Sequence, residues 1–307
     1  MDAARPELDA GVRTEAAILV ADAPVVVLGG SYSNLEATRS LLASAQRLGV
    51  GPERIVCTGD TVAYCADPVA TVALLREAGV HVVMGNCEES LGWRGEDCGC
   101  GFAEGSACDQ ASAAWYRYAD GCLDEDDRTW MRSLPRRLDL VIGGHRLAVI
   151  HGALDRINTF IFASAAESEL RRQIALAGCD GVIGGHCGLP FTRIVSGRLW
   201  HNAGAIGMPA NDGTPRTWFS VIEPLDRGLR IRHLPLDYDF TAAAAKMRAR
   251  GLPEGYAAAL ESGLWPSCDV LPAAELARRG RAIPAAETVW DAAAEDAESV
   301  PVGETIE

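Results

Sequence analysis

The sequence is poor in basic residues and contains no long apolar run. Its 28 Lys and Arg residues are outnumbered by 42 Asp and Glu residues, so the formal net charge is −14. Such a charge repels a nucleic-acid backbone, and no basic cluster with interleaved aromatic residues offsets it locally. No segment reaches the roughly 18–20 apolar residues of a membrane helix, and the N-terminal stretch MDAARPELDAGVRTEAA is acidic. We therefore expect a cytoplasmic protein with no nucleic-acid partner and no membrane partner.

The ten cysteines need a separate explanation, because the N-terminus does not resemble an export signal. In a chain of 307 residues of this kind, reduced thiols in a cytosolic setting are the better interpretation than disulfides. The composition is otherwise that of a globular protein, with 48% hydrophobic and 23% charged residues. We expect the thiols to serve in the core or as metal ligands.

Short apolar runs that end in glycine-containing loops predict the fold class, which is α/β. The runs at 25–28, 55–58 and 81–84 alternate with helical patterns, and further runs lie at 138–142, 147–150 and 182–183. Alternating stretches at 193–200, 217–223 and 229–236 predict antiparallel strands of a second sheet. In such folds the functional site lies beyond the carboxyl ends of the strands.

Composition shifts divide the chain into three parts. Residues 1–23 are read as a short helix or a loose lead-in, and residues 24–239 as the main domain. A Cys- and Gly-rich helical insertion interrupts this domain at about 88–137. Residues 240–307 are Ala-rich and predict a helical C-terminal extension that ends in a frayed acidic tail.

Four polar residues follow apolar runs directly, each in a loop that contains glycine. They are Asp60 in TGD, Asn86 in MGN, His151 in IHG and His186 in GGH. One carboxylate, one amide oxygen and two imidazoles form a ligand set that suits Zn, Mn or Fe. A single histidine is more often structural, but four such residues at successive strand ends indicate a metal site.

These stretches resemble the motifs of the calcineurin-like metallophosphoesterases, in particular their small bacterial phosphodiesterase branch. The family order D-x-H-G-N, G-D, G-N-H-E, H-G and G-H-x-H corresponds here to GSYSNLEA, TGDTVAYCADP, MGNCEE, VIHGA and GGHCGLP, followed by HNAGAIGMP. The resemblance covers roughly residues 24–236 apart from the insertion. It implies a four-layer α/β/β/α sandwich with a binuclear metal site at the strand ends.

The resemblance also implies an altered site. The ligands of the family's second metal are matched by Asp60, Asn86, His151 and His186, whereas the first metal's own ligands fall on Gly30, Tyr32 and Gly188. We therefore expect one divalent ion (Zn, Mn or Fe), and two only if ligands come from elsewhere. The family's histidine beside the asparagine, which acts as general acid or stabilises transition-state charge, falls on Cys87. The catalytic candidates are Asp60, Asn86, Cys87 and His151.

Six cysteines are candidates for an added metal or redox role. Cys65, Cys87 and Cys187 lie within or beside the motif loops, and Cys87 is the best placed to be an extra ligand, a redox-sensitive thiol or a small core residue. Cys98, Cys100 and Cys108 form a C-x-C-x₇-C pattern in the insertion. Three thiolates there could hold a soft ion or form part of a lid, and the alternative is a loop built of small residues.

Two further residues are candidates for substrate contact. Asn34 falls on the family's asparagine, although capping of the following helix is favoured, and His201 precedes a Gly-rich stretch. Three functions remain open for the chain. The first is a metal-dependent phosphoesterase whose metal-bound water hydrolyses a small phosphate ester or nucleotide. The second is a non-hydrolytic metal-binding protein or pseudoenzyme that uses the same scaffold and its cysteines, and the third is different metal chemistry in which Cys87 joins the retained ligands around one iron or zinc.

Overall fold

Two six-stranded sheets face each other in the computed structural model, which describes residues 17–291. The strands are β1 (Ala17–Ala21), β2 (Val25–Leu28), β3 (Ile55–Cys57), β4 (His81–Val82), β5 (Arg137–Ile142), β6 (His145–Ile150), β7 (Gly181–Gly184), β8 (Pro190–Val195), β9 (Arg198–Ala203), β10 (Thr217–Pro224), β11 (Leu229–Leu236) and β12 (Ala286–Trp290). The helices are α1 (Leu35–Arg47), α2 (Pro68–Ala78), α3 (Asn86–Gly92), α4 (Ala107–Cys122), α5 (Glu125–Ser133), α6 (Glu167–Ala177), α7 (Phe240–Ala249), α8 (Glu254–Ser262) and α9 (Ala273–Leu276).

The strand order differs from the prediction that the strands after residue 193 belong to a second sheet. The first sheet runs β1-β5-β6-β7-β9-β8 and the second β12-β11-β10-β2-β3-β4. The prediction that residues 193–236 form a sheet of their own was therefore wrong, because β10 pairs antiparallel with β2 and extends its sheet. β8 and β9 join the other sheet through β7.

Side chains alternate between the two faces of each strand, so each sheet packs against the other sheet on one face and against helices on its other face. In β2, Val25 and Val27 face the core between the sheets, whereas Val26 and Leu28 face the outer side, where Leu41 of α1 packs. On the far side, Leu170 and Ile174 of α6 pack against Val182 of β7. The predicted α/β/β/α sandwich is confirmed.

The first residues of α1, α2 and α6 are stabilised in different ways. Asn34 caps α1, since its Oδ1 accepts from the Ala37 N–H at 3.1 Å, and Pro68 opens α2 at a position where its missing N–H costs nothing. The residue before α6 is Ala166, and no side chain caps this helix.

Both ends of the described chain contribute strands that the sequence did not predict. β1 pairs in parallel with β5, so residues 17–21 are not a helix or a loose lead-in. β12 pairs antiparallel with β11, so the C-terminal part is not wholly helical, although α7, α8 and α9 lie there. Residues 1–16 and 292–307, including the acidic tail, lie outside the described residues. No helix within residues 17–291 is long and apolar enough to cross a membrane.

Candidate metal centre

Four loops, two from each sheet, bring the predicted ligands together. Asp60 follows β3 and Asn86 begins α3 after β4, whereas His151 follows β6 and His186 follows β7. Asp60 and His186 have positive φ angles of 56° and 61°, a conformation that costs a non-glycine residue of order 1–3 kcal/mol and is concentrated at functional sites. Both loops are thus held in a strained conformation just beyond the strand ends.

The ligand atoms converge on Nε2 of His151. This nitrogen lies 2.9 Å from Oδ1 of Asn86, 3.0 Å from Nδ1 of His186 and 3.2 Å from Oδ2 of Asp60. The candidate ligand atoms of Asp60, His151 and His186 all lie within 4.8 Å of one another. The four side chains expected to bind one metal therefore form one cluster.

Backbone carbonyls orient two of these side chains. Nδ1 of His151 lies 2.6 Å from the carbonyl oxygen of Thr58, an arrangement in which Nδ1 carries the proton and Nε2 presents its lone pair. The amide Nδ2 of Asn86 donates to the carbonyl oxygen of Cys98 at 2.9 Å, which turns its Oδ1 toward His151. These two hydrogen bonds leave the lone pairs of two imidazole nitrogens and one amide oxygen directed toward the carboxylate of Asp60. A cation bound among these four groups would interact favourably with each of them.

Glu88 supports the site and was missed as a functional residue. Its buried carboxylate accepts hydrogen bonds from the backbone N–H groups of Asp60 at 2.8 Å, Thr61 at 2.7 Å and Gly85 at 2.9 Å. Gly85 is required here, because a Cβ on it would lie 2.5 Å from the Asp60 nitrogen. Glu88 therefore fixes the loop that carries Asp60. The signal was present in the sequence, since GNCEE matches the glutamate of the family's G-N-H-E motif.

The buried charges are coupled. Burial opposes ionisation of Asp60, but the neighbouring His151 outweighs it and lowers the pKa of that carboxyl. Burial likewise opposes protonation of His151, and the nearby Asp60 raises its pKa. Burial, reinforced by His151, lowers the pKa of His186 to about 3. His186 is consequently neutral at ordinary pH, which is the form that binds a metal.

The ring of Tyr32 fills the place of the family's first metal ligands. Tyr32 is buried, with 6% of its surface exposed, and packs edge-on against Tyr64. A Cβ on Gly30 would lie 2.5 Å from Cζ of this ring, and one on Gly188 would lie 3.5 Å from its hydroxyl oxygen. A side chain at position 30 and the Tyr32 ring therefore cannot share this space. The positions that the resemblance assigns to the first metal's own ligands therefore hold two glycines and a bulky buried ring.

The thiols do not form a second metal cluster within residues 17–291. Cys98 and Cys100 are joined in a disulfide, so the expectation that the thiols are reduced was wrong. Two of the three thiols considered for a soft ion are therefore paired with each other, and Cys108 lies on α4. Cys87 is buried beside Asn86, with Sγ 3.6 Å from Nδ2, but no thiol belongs to the cluster of Asp60, His151 and His186.

The other two candidate thiols have backbone or amide partners. Sγ of Cys65 lies 3.7 Å from the carbonyl oxygen of Gly207, and Sγ of Cys187 lies 3.2 Å from Nδ2 of Asn202. Both side chains are buried, and burial raises the pKa of both thiols. They are packed as neutral groups.

The two predicted substrate contacts are structural. Asn34 uses its amide oxygen to cap α1 and its amide nitrogen to donate to the carbonyl oxygen of Gly207 at 3.1 Å. His201 is fully buried between the sheets, where its Nδ1 lies 2.9 Å from the Thr192 hydroxyl and its ring packs 4.9 Å from that of His233. The capping role that was favoured for Asn34 is therefore confirmed, and the burial of His201 between the strands does not support its candidacy for substrate contact.

An aromatic cavity of about 200 Å³ adjoins His186. The Phe160 ring packs 4.1 Å from the His186 ring at one wall, and Tyr64 packs 4.8 Å from Tyr256 at another. Trp265 and Met208 also line the cavity. Among the described residues that line this cavity, none is Lys, Arg, Asp or Glu. The sequence did not predict it, because its walls come from distant segments.

The residues present fit a divalent metal ion. The cluster offers one carboxylate oxygen, one amide oxygen and two imidazole nitrogens, a mixed oxygen and nitrogen set of the kind that binds Zn, Mn or Fe. In addition, Nε2 of His186 is buried and lacks a hydrogen-bond partner, so a cation bound there would satisfy a polar atom that is otherwise unpaired. The Thr58 and Cys98 carbonyls supply the supporting contacts that metal ligands ordinarily have.

Comparison with known proteins agrees with this geometry. The calcineurin-like phosphoesterase superfamily domain matches residues 24–223. An uncharacterized protein of Methanocaldococcus jannaschii is 24% identical over 247 residues, which cover 75% of this chain and 94% of that protein.

Two solved structures share the fold. A metallophosphoesterase from Sphaerobacter thermophilus superposes with a TM-score of 0.62 at 22% identity, covering 80% of this chain and 100% of that one. A hypothetical protein from Pyrococcus horikoshii OT3 superposes with a TM-score of 0.66 at 16% identity, covering 80% and 99%. At these identities the likeness establishes the fold.

Proposed function

Since the chain belongs to the calcineurin-like phosphoesterase superfamily, we propose that it is a phosphoesterase that works with a single divalent metal ion and hydrolyses a small phosphate ester. The observation that carries this proposal is the convergence of Asp60, Asn86 and His186 on Nε2 of His151. The Tyr32 ring, which fills the space of the other ligand set, supports one ion rather than two.

The protein residues have distinct tasks in this proposal. Asp60, Asn86, His151 and His186 would hold the ion, which when bound polarises a phosphoryl oxygen and lowers the pKa of a water molecule. Glu88 holds the Asp60 loop through three backbone N–H groups, and Phe160 packs against the ring of His186. These contacts keep the ligands in place while substrate enters.

The test combines metal analysis with hydrolysis assays. We expect the purified protein to contain about one metal ion per chain and to hydrolyse a generic phosphomonoester or phosphodiester, and we expect His186→Ala to lose both properties. His81→Ala is the matched control, because this ring lies outside the site and contacts the Glu53 carbonyl oxygen. The proposal fails if the wild type and His186→Ala hydrolyse the esters at the same background rate.

A non-hydrolytic metal-binding protein is the second candidate. It is favoured by Cys87, which stands where the family has the histidine that assists the reaction and whose thiol is buried. It is favoured too by the absence of a lysine or arginine from the described lining of the cavity, since phosphoryl groups are ordinarily bound by such cations. In the experiment above, metal bound by wild type and lost from His186→Ala without any turnover would select this candidate.

A further inference from the structure

The cavity beside His186 differs from a phosphate-binding pocket in its chemistry. Phosphate sites present cationic side chains or clustered backbone N–H groups. Aromatic side chains make up much of the described lining, and His186 is the one basic residue among the described lining residues. A charged phosphoryl group would gain little by entering this space, so the cavity requires a different occupant.

The rings are arranged as two packed groups around the space. Phe102 and Phe160 lie with ring centroids 6.3 Å apart, and Phe160 in turn contacts His186. Tyr64 contacts both Tyr32 at 5.0 Å and Tyr256 at 4.8 Å. Because these neighbours support one another, the walls are held in position without a ligand, as is usual for small-molecule sites.

The size and polarity of the cavity limit what it can hold. An apolar cavity of about 150 Å³ holds a benzene molecule, and this one measures about 200 Å³. The indole N–H of Trp265 is already used, since it donates to the carbonyl oxygen of Pro209 at 2.6 Å. A nucleobase joined to its sugar is larger than the single ring that a cavity of this volume holds. An uncharged apolar group the size of one ring fits better.

The cavity also has a route to the surface. Its rim includes Ala107 at the start of α4 and Pro266, and both residues are exposed. The Ala107 N–H donates to Oδ2 of Asp269 at 3.1 Å, which joins the two sides of the rim. A molecule that enters here contacts the rings and His186, since both line the cavity.

We propose that this cavity binds an uncharged, apolar, ring-sized group of the substrate, whose phosphoryl group then lies at the cluster of Asp60, Asn86, His151 and His186. The substrate class is accordingly an aryl, arylalkyl or compact alkyl phosphate ester rather than a nucleotide or a sugar phosphate. This inference rests on the proposed function for the position of the phosphoryl group.

Non-hydrolysable ligands test the inference separately from hydrolysis. We would measure the affinities of benzyl phosphonate, methyl phosphonate and adenosine monophosphate for the purified metal-containing protein by isothermal titration calorimetry. The two phosphonates present the same charged group, so their difference reports the benzyl group alone. We expect benzyl phosphonate to bind at least about tenfold more tightly than methyl phosphonate, because burial of an aromatic ring is favourable by more than that factor.

Two positions on α4 provide a matched pair of variants. Ala111 lines the cavity, whereas Ala113 is exposed on the same helix. Ala111→Leu would fill the space and should abolish the preference for the benzyl compound, and Ala113→Leu should retain it. Trp265→Ala removes part of the cavity wall instead of filling the space, and it should also weaken the preference for the benzyl compound. This variant tests the inference independently if Ala111→Leu does not fold.

The outcomes separate the two proposals. Equal affinities for the two phosphonates, no binding of either, or tighter binding of adenosine monophosphate would overturn the inference. Turnover of a small alkyl phosphate in that case would leave the proposed function intact. A benzyl preference that is lost in Ala111→Leu supports binding of the ring in this cavity. If the same protein hydrolyses other phosphate esters but not benzyl phosphate, the substrate class is refuted and the proposed function stands; if it hydrolyses none of them, the proposed function is refuted and only the binding site remains.

Discussion

The packing of Tyr32 against Gly30 predicts a large coupling energy between these two positions. A Cβ at position 30 would lie 2.5 Å from Cζ and 2.6 Å from Cδ1 of the ring, far inside van der Waals contact. Overpacking of a buried site costs about 1–3 kcal/mol, and a clash with a ring that neighbouring rings hold in place belongs at the upper end. We expect Gly30→Ala to lower the free energy of unfolding by about 3 kcal/mol.

The same substitution should behave differently when the ring is absent. Tyr32→Ala by itself should cost about 3–5 kcal/mol, as truncation of a buried aromatic residue does. In that background Gly30→Ala should cost nothing, or stabilise by about 0.5 kcal/mol through the lower entropy of the unfolded chain. The expected coupling energy is therefore about 3 kcal/mol.

Urea unfolding of the four proteins, in the presence of a chelator, measures this coupling. Gly121→Ala is the control, because its added Cβ on α4 would meet nothing within 4 Å and the change should stabilise the protein slightly. A coupling energy below about 0.5 kcal/mol would show that the ring does not occupy this space. If the coupling is found, Gly30→Asp combined with Tyr32→His should raise the metal content from one ion per chain toward two.

Three further predictions concern other parts of the molecule. Burial lowers the pKa of His233 to about 4, below its unfolded value of 6.5, so the stability contributed by the neutral ring is present above pH 6.5 and is lost as the pH falls toward 4. At pH 5 this loss is about 2 kcal/mol, and His233→Gln should show a correspondingly flatter dependence of urea unfolding on pH than wild type. Glu88→Gln should weaken metal binding about 10–100-fold in calorimetric titration by loosening the loop of Asp60, whereas an unchanged affinity would deny Glu88 that role. Thiol titration of the denatured protein should find eight free thiols before reduction and ten after it, because Cys98 and Cys100 are joined; ten from the start would contradict the disulfide.

The ligands could be predicted from the sequence because each one is encoded locally. Asp60, His151 and His186 follow short apolar strands and carry adjacent glycines, and this local pattern survives without knowledge of the fold. Parallel strands of an α/β sheet place such loops at one edge, which explains the pairing of Asp60 with Asn86 and of His151 with His186. The meeting of the two pairs depends on how the two sheets face each other. The resemblance to a known family then separated the retained ligands from the lost ones.

The failures concern features that depend on distant residues. His201 lies beside a Gly-rich stretch that suggests a rim, but its partner His233 is 32 positions away, and only pairing of the strands reveals that both are buried. β1 and β12 are edge strands with partly exposed faces, and Ala-rich surroundings at both ends of the chain hide their alternation. The local sequence indicated helix or loop there, but pairing with β5 and β11 makes these residues strands.

The origin of the ligands in two different sheets has a consequence for folding. Asp60 and Asn86 are anchored in the sheet of β2, whereas His151 and His186 are anchored in the sheet of β6, so one ion would fasten the two halves of the sandwich to each other. An ion that binds the folded form alone adds about 2.7 kcal/mol of stability when its free concentration is 100 times the Kd. The melting temperature of this protein should therefore follow the supply of metal in its surroundings, and a chain deprived of its ion would be cleared by proteases sooner than a loaded one.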